Sequence, residues 1–149
     1  MSDFVRLPQY TNEVLQKMSP GERAKLSRSI GRDLRNSQKQ RITSQQNPDG
    51  SSYSPRKKRL RDRMKAKVRN KMFNKIKSLT YLKVMTDADS ISIGFAGRIA
   101  RIARIHQYGL RDRAEKNAPT VQYPKRELLG LTNQEVSNIA SLLEKHISN

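Results

Sequence analysis

Apolar positions along the 149-residue chain follow two different rhythms. From Ser19 to about Gln45, Leu26, Ile30, Leu34 and Ile42 fall on one stripe at four-residue steps, while Arg and Lys fill much of the remaining circumference. That spacing predicts an amphipathic, basic helix. Its start is marked by Ser19 as a cap, Pro20 at the first helical position and Glu22 three residues after the cap, a capping box. NPDG, Asn47 to Gly50, places proline and glycine as a type I turn requires, and Pro55 disfavours helix just before it.

A second four-residue series, Leu60, Met64, Val68, Met72 and Ile76, predicts a helix over at least the second half of Arg56 to Lys77, with Phe73 broadening the seam. The first half could instead be an extended arm. After Ser78 the period becomes two. Leu79, Tyr81 and Lys83 alternate with Thr80, Leu82 and Val84, and after TDADS come Ile91, Ile93 and Phe95. A β-hairpin turning at Asp87 to Ser90 is predicted, with Gly94 and Gly97 near its end.

Ile99, Ile102, Ala103 and Ile105 then suit a short helix closed by Gly109. LRDRAEKNAPT reads as a charged loop, and VQYPKRELLGL as extended chain around Pro124. Thr132 and Glu135 form a second capping box before a terminal helix with Val136, Ile139, Ala140, Leu143 and Ile147 on its apolar face. Before Ser19, Phe4, Tyr10, Val14 and Leu15 are weakly periodic and could form a short helix after Pro8, marginal by itself because of its polarity.

The expected fold is α+β: a long N-terminal helix, a basic linker or helix, a β-hairpin-containing small antiparallel sheet, and a C-terminal helix packed on the sheet. Length favours a single domain over residues 1–149, with 1–18 weakly ordered and 47–66 a basic linker or arm. Only 34% of residues are apolar, a small supply of core for a free-standing globule, which suits a subunit completed by neighbours.

Charge changes the picture further. The chain carries 31 Lys and Arg against 13 Asp and Glu, a formal +18, and Arg56 to Lys77 alone holds twelve basic residues against one acid, Asp62. Such a surplus exceeds what solubility needs and points to a polyanionic partner, DNA backbone or an acidic protein surface. The contact residues expected are Arg56, Lys57, Lys58, Arg59, Arg61, Arg63, Lys65, Lys67 and Arg69. Only Tyr53 and Phe73 lie nearby as stacking groups, which disfavours a single-strand reader. The absence of cysteine removes disulfides and thiolate chemistry and fits a cytoplasmic origin. The N-terminus has no secretory pattern, and no apolar run is long enough for a bilayer span.

His106 is the residue that most invites a chemical role. A general base needs an orienting acid or a nucleophile, and zinc needs three or four ligands, yet the other histidine, His146, sits far away on the terminal helix. The acids are scattered, Asp87 and Asp89 belong to a turn, and no Gly-rich phosphate loop occurs. The sequence therefore makes no case for an enzyme, a metal or a cofactor, and His106 reads as hydrogen-bonded structure.

Three stretches in order, SQKQRITSQQNPDGSSYSPRK, ARIHQYGL and VQYPKRELLGLTNQE, resemble the tail completion or virion morphogenesis proteins of contractile-tailed temperate bacteriophages, the Mu-like and Peduovirus-like groups. The resemblance covers roughly Ser19 to His146. It implies a small, non-enzymatic α+β protein of the virion that completes the tail and helps join it to the head at the neck. Such proteins commonly work as rings, so a homo-oligomer, most simply a hexamer, is implied. Its neighbours would be tail terminator, tail tube or head-connector proteins, with double-stranded DNA in the channel and no membrane. Arg101, Arg104, His106, Gln107, Tyr108, Gly109, Pro124 and Arg126 are the motif residues expected at subunit interfaces. The alternative is an independent DNA-binding accessory or regulatory protein using residues 56–77.

Overall fold

A computed structural model describes residues 18–56, 71–87, 90–113 and 115–147. Helix α1, Pro20–Thr43, begins where the capping residues place it: the Glu22 N–H donates to Ser19 Oγ at 3.2 Å, with Pro20 in the first turn. At 1.5 Å per residue its 24 residues form a rod about 36 Å long. Leu26, Ile30 and Ile42 are buried as their spacing predicts, and Leu34 is half-buried. The position between Leu34 and Ile42 on that stripe is Gln38, buried despite its polarity.

The period-two segment forms β1, Leu82–Thr86, antiparallel to β2, Ile91–Phe95, with Thr86 paired to Ile91 across the turn. Asp87 closes that turn by accepting from the Ser90 N–H at 2.6 Å. The strand starts later than expected: Leu79 to Tyr81 are turn, and Leu79 is 71% exposed. Leu82 is fully buried while Lys83 and Met85 face solvent, so the face carrying Leu82, Val84 and Thr86 is the one that meets α1. There the helix has Gly31, and a β-carbon at that position would lie 2.7 Å from Val84 Cγ1. The glycine lets the hairpin approach the rod closely.

Helix α2, Ile99–Tyr108, follows, ended by Gly109 at φ 63° as a left-handed C-cap. Ala103 and Ile105 are buried, but Ile102, expected inside, is 46% exposed. The charged stretch after it is not all loop. Arg111–Arg113, β3, pairs antiparallel with Thr120–Gln122, β4, as a second two-stranded sheet. Helix α3, Asn133–Ile147, completes the chain. It lies along α1, where Leu143 joins Leu26 and Ile30, and Ile91 of the first hairpin packs against the same cluster.

The described part of the second basic stretch departs from expectation. Residues 71–73 are irregular and 74–77 turn rather than helix, and Phe73 has φ 67°, a conformation no α-helix accommodates. The cause is tertiary. Gln45 Oε1 accepts from the Met72 N–H at 2.8 Å and its Nε2 donates to the Met72 carbonyl at 2.9 Å. Both backbone groups of Met72 are thus tied to a side chain. Met72, Phe73 and Ile76 then pack on a second apolar cluster of Ile42, Tyr53, Ala103 and Leu128.

Candidate functional site

Arg126 to Gly130 is irregular chain, bent at Leu129, that belongs to neither sheet, yet Arg126 and Leu128 are buried and the other three residues half-buried. Buried backbone N–H and C=O groups without strand partners need others, since each orphan costs about 1–3 kcal/mol. Here side chains supply most of them. Gln107 Oε1 accepts from both the Leu128 and Leu129 N–H groups at 2.9 Å, and Gln107 Nε2 donates to the Leu129 carbonyl at 2.8 Å. Asn47 Oδ1 accepts from the Glu127 N–H at 2.8 Å, and the Tyr53 hydroxyl donates to the Glu127 carbonyl at 3.0 Å. Gln38 Oε1 accepts from the Gly130 N–H at 3.1 Å, and Arg41 Nη2 donates to the Gly130 carbonyl at 3.2 Å. The Arg126 N–H bonds the His106 carbonyl at 2.7 Å, so the segment runs against the end of α2.

The three stretches that carried the resemblance therefore meet at one place. The first supplies Gln38, Arg41, Asn47 and Tyr53, the second His106 and Gln107, and the third is the strand they hold. NPDG is part of the grip, because Pro48 Cγ sits 2.5 Å from where a β-carbon of Gly130 would be.

Arg126, only 4% exposed, anchors the other side. Its Nε donates to the Ser54 carbonyl at 2.8 Å, Nη2 to the Pro55 carbonyl at 3.2 Å, and Nη1 to His106 Nδ1 at 3.1 Å. The His106 ring lies edge-on between Phe73, centroids 4.9 Å apart, and Tyr123, 5.3 Å. Burial, reinforced by the Arg126 charge, pulls the His106 pKa down to about 4. Burial pushes Tyr53 up to about 12, which keeps its hydroxyl a donor. Both groups are hydrogen-bonding parts of a wall around the Arg126 to Gly130 segment.

The second capping box forms reciprocally. The Glu135 N–H donates to Thr132 Oγ1 at 3.1 Å and the Thr132 N–H to Glu135 Oε2 at 3.0 Å. Glu135 also does something spacing does not reveal: its other oxygen takes Arg41 Nη1 at 2.8 Å and Gln38 Nε2 at 3.4 Å. Arg41 Nη2 donates in turn to Gln38 Oε1. One carboxylate thus joins the start of α3 to α1 and to the held strand, in a buried ion pair.

Among the motif residues expected at interfaces, His106, Gln107, Gly109 and Arg126 are engaged within the chain. Gly109 has a steric reason as well, since a β-carbon there would lie 3.0 Å from the Lys125 backbone nitrogen. Arg101, Arg104, Tyr108 and Pro124 are exposed, and Arg101 Nη2 bonds Asp112 at 2.6 Å across to β3. Of the basic contact residues, Arg56 is exposed, while Lys57, Lys58, Arg59, Arg61, Arg63, Lys65, Lys67 and Arg69 lie outside the described residues. Asn47 to Tyr53, assigned from sequence to a linker, form part of the body. Gln38, Arg41, Asn47, Tyr53 and Glu135 were not foreseen as a group, because their partners are 74 to 97 residues away for all but the shortest links. The buried polar position on the α1 stripe, Gln38, was the available signal.

Among the described residues no group of three or more His, Asp or Glu side chains could hold a metal ion, and no helix is long and apolar enough to cross a membrane. Comparison with known proteins gives a consistent picture. The chain is 31% identical to tail completion protein S of Escherichia phage P2 over 148 residues, 99% of each chain. No solved structure is significantly similar. Residues 3–148 match the phage virion morphogenesis family from end to end, and the chain belongs to that family.

Proposed function

We propose that this protein completes the phage tail and helps join it to the head at the neck, acting as a subunit of a ring and remaining with the virion there. The observation that carries the reading is the full-length likeness to a tail completion protein, with almost no part of either chain left over. The fold supports it. The described core is divided into two small clusters, and the buried Gln38, Arg41 and Arg126 hold one segment of chain. Neighbouring copies, a tail terminator, the tail tube or a head connector would complete such a subunit.

The basic stretch from Arg56 to Arg69 is the proposed contact with DNA in the channel or with an acidic ring. A closed ring of +18 subunits needs anionic neighbours to offset its self-repulsion. A second reading, an independent DNA-binding accessory protein, draws on the same stretch. Two measurements separate them. The assembly reading predicts a discrete oligomer by mass in solution and duplex affinity without sequence preference. A monomer with sequence-selective binding would favour the second, whereas the salt slope of about −0.9 per phosphate contact is common to both.

A further inference from the structure

Beside the held strand, the exposed side of α2 borders an open cleft of about 370 Å³. Phe95, Ala100 and Leu129 give it apolar surface, Gln107 adds a polar group, and Arg104 and Tyr108 stand at its wall, four residues apart on one face of the helix. Among the described residues no carboxylate lines it. Arg104 accordingly stands at an apolar hollow whose described walls offer it no acid, and Tyr108 is 48% exposed.

This composition differs from that of the basic stretch. A phosphate backbone is met by long rows of cations, and it would leave an apolar hollow unfilled. Protein interfaces instead concentrate Arg and Tyr around apolar pockets. A second copy of this chain is the less favoured occupant, since each copy carries a formal +18 and the cleft presents a cation of its own.

We propose that the cleft receives a segment of a different virion protein, in which an Asp or Glu stands next to an aliphatic or aromatic residue. The carboxylate pairs with Arg104, in the two-pronged geometry a guanidinium favours, while the apolar neighbour covers Phe95 and Leu129. This depends on the protein being a virion assembly component and not on its place at the neck or on ring formation.

The test uses the full chain, carrying the photoreactive residue p-benzoylphenylalanine in place of Tyr108, produced during infection and irradiated in assembling particles. The cross-linked peptides are sequenced by mass spectrometry. The expected product is a peptide of another virion protein with an acidic residue beside an apolar one, its yield lowered at least about tenfold by Arg104→Glu and largely kept by Arg104→Lys. If the Tyr108 substitution impairs folding, the same probe replaces Ala100, which lines the same cleft and is exposed. Cross-links to a second copy, to DNA or to a peptide without acid, or yields indifferent to Arg104→Glu, would overturn the proposal. These outcomes are readable even in particles whose tails never join heads.

Discussion

Arg126 Nη1 lies 3.1 Å from His106 Nδ1, and because a guanidinium has only donors, the imidazole must be neutral with its lone pair at Nδ1. The proton of His106 is therefore on Nε2. Protonating Nδ1 would set two cations against each other inside a buried aromatic cluster.

A pH dependence follows from this pair. The folded pKa of His106, about 4, lies below the ordinary 6.5, so between those values the unfolded chain binds more protons than the folded one. The stabilisation is fully present above pH 6.5 and is lost as pH falls toward 4. Thermal unfolding of the wild type should therefore weaken over that window more than that of His106→Asn, whose amide oxygen can accept from Arg126 without titrating. Parallel curves for the two proteins would contradict the assignment.

Arg126→Lys removes a planar fork that reaches three acceptors at once. A lysine keeps the charge but can serve one of them well, so a loss of about 2–3 kcal/mol is expected in denaturant unfolding.

Glu135→Gln keeps most of the α3 cap but leaves Arg41 buried without its carboxylate. The cost should be about 3 kcal/mol, well above the roughly 1 kcal/mol of a cap alone. A Thr132→Ala variant, which removes only the cap hydroxyl, supplies the comparison, and equal losses would show the ion pair to be idle.

Gly109 and Gly97 have nearly the same backbone, φ 63° and 67°, but of the two only Gly109 has other atoms within 4 Å of the place a β-carbon would take. Gly97→Ala should cost about 1 kcal/mol, from the left-handed conformation alone. In Gly109→Ala the contact with Lys125 adds about 1–2 kcal/mol more. Chemical denaturation of the two variants measures the difference directly.

If the basic stretch acts by meeting a partner, replacing Arg56, Lys57, Lys58 and Arg59 together by Ser should lower the yield of joined particles while the unfolding free energy stays within about 0.5 kcal/mol of wild type. Unchanged joining would remove that group from the proposed contact.

Local signals in the sequence were reliable where the cause was local. Ser19 and Thr132 mark the starts of α1 and α3, Asp87 and Ser90 close the hairpin, and Gly109 ends α2 as a glycine with positive φ should. The four-residue step through Met72 and Ile76 misled because Gln45, 27 residues earlier, holds the Met72 backbone and Phe73 turns left-handed. Ile102 fits the apolar rhythm but lies beyond the buried arc of a ten-residue helix. The clasp on Arg126 to Gly130 was present only as an unexplained set of polar motif residues. Its bonds join positions far apart in the chain, and no periodicity encodes such a pairing.

Whether this protein completes the tail for joining to the head is tested most directly by electron microscopy of particles made in its absence. Filled heads and separate tails with incomplete head-proximal ends are expected, restored to joined particles when the protein is supplied. Normal, infectious, full-length virions lacking the protein would contradict that role.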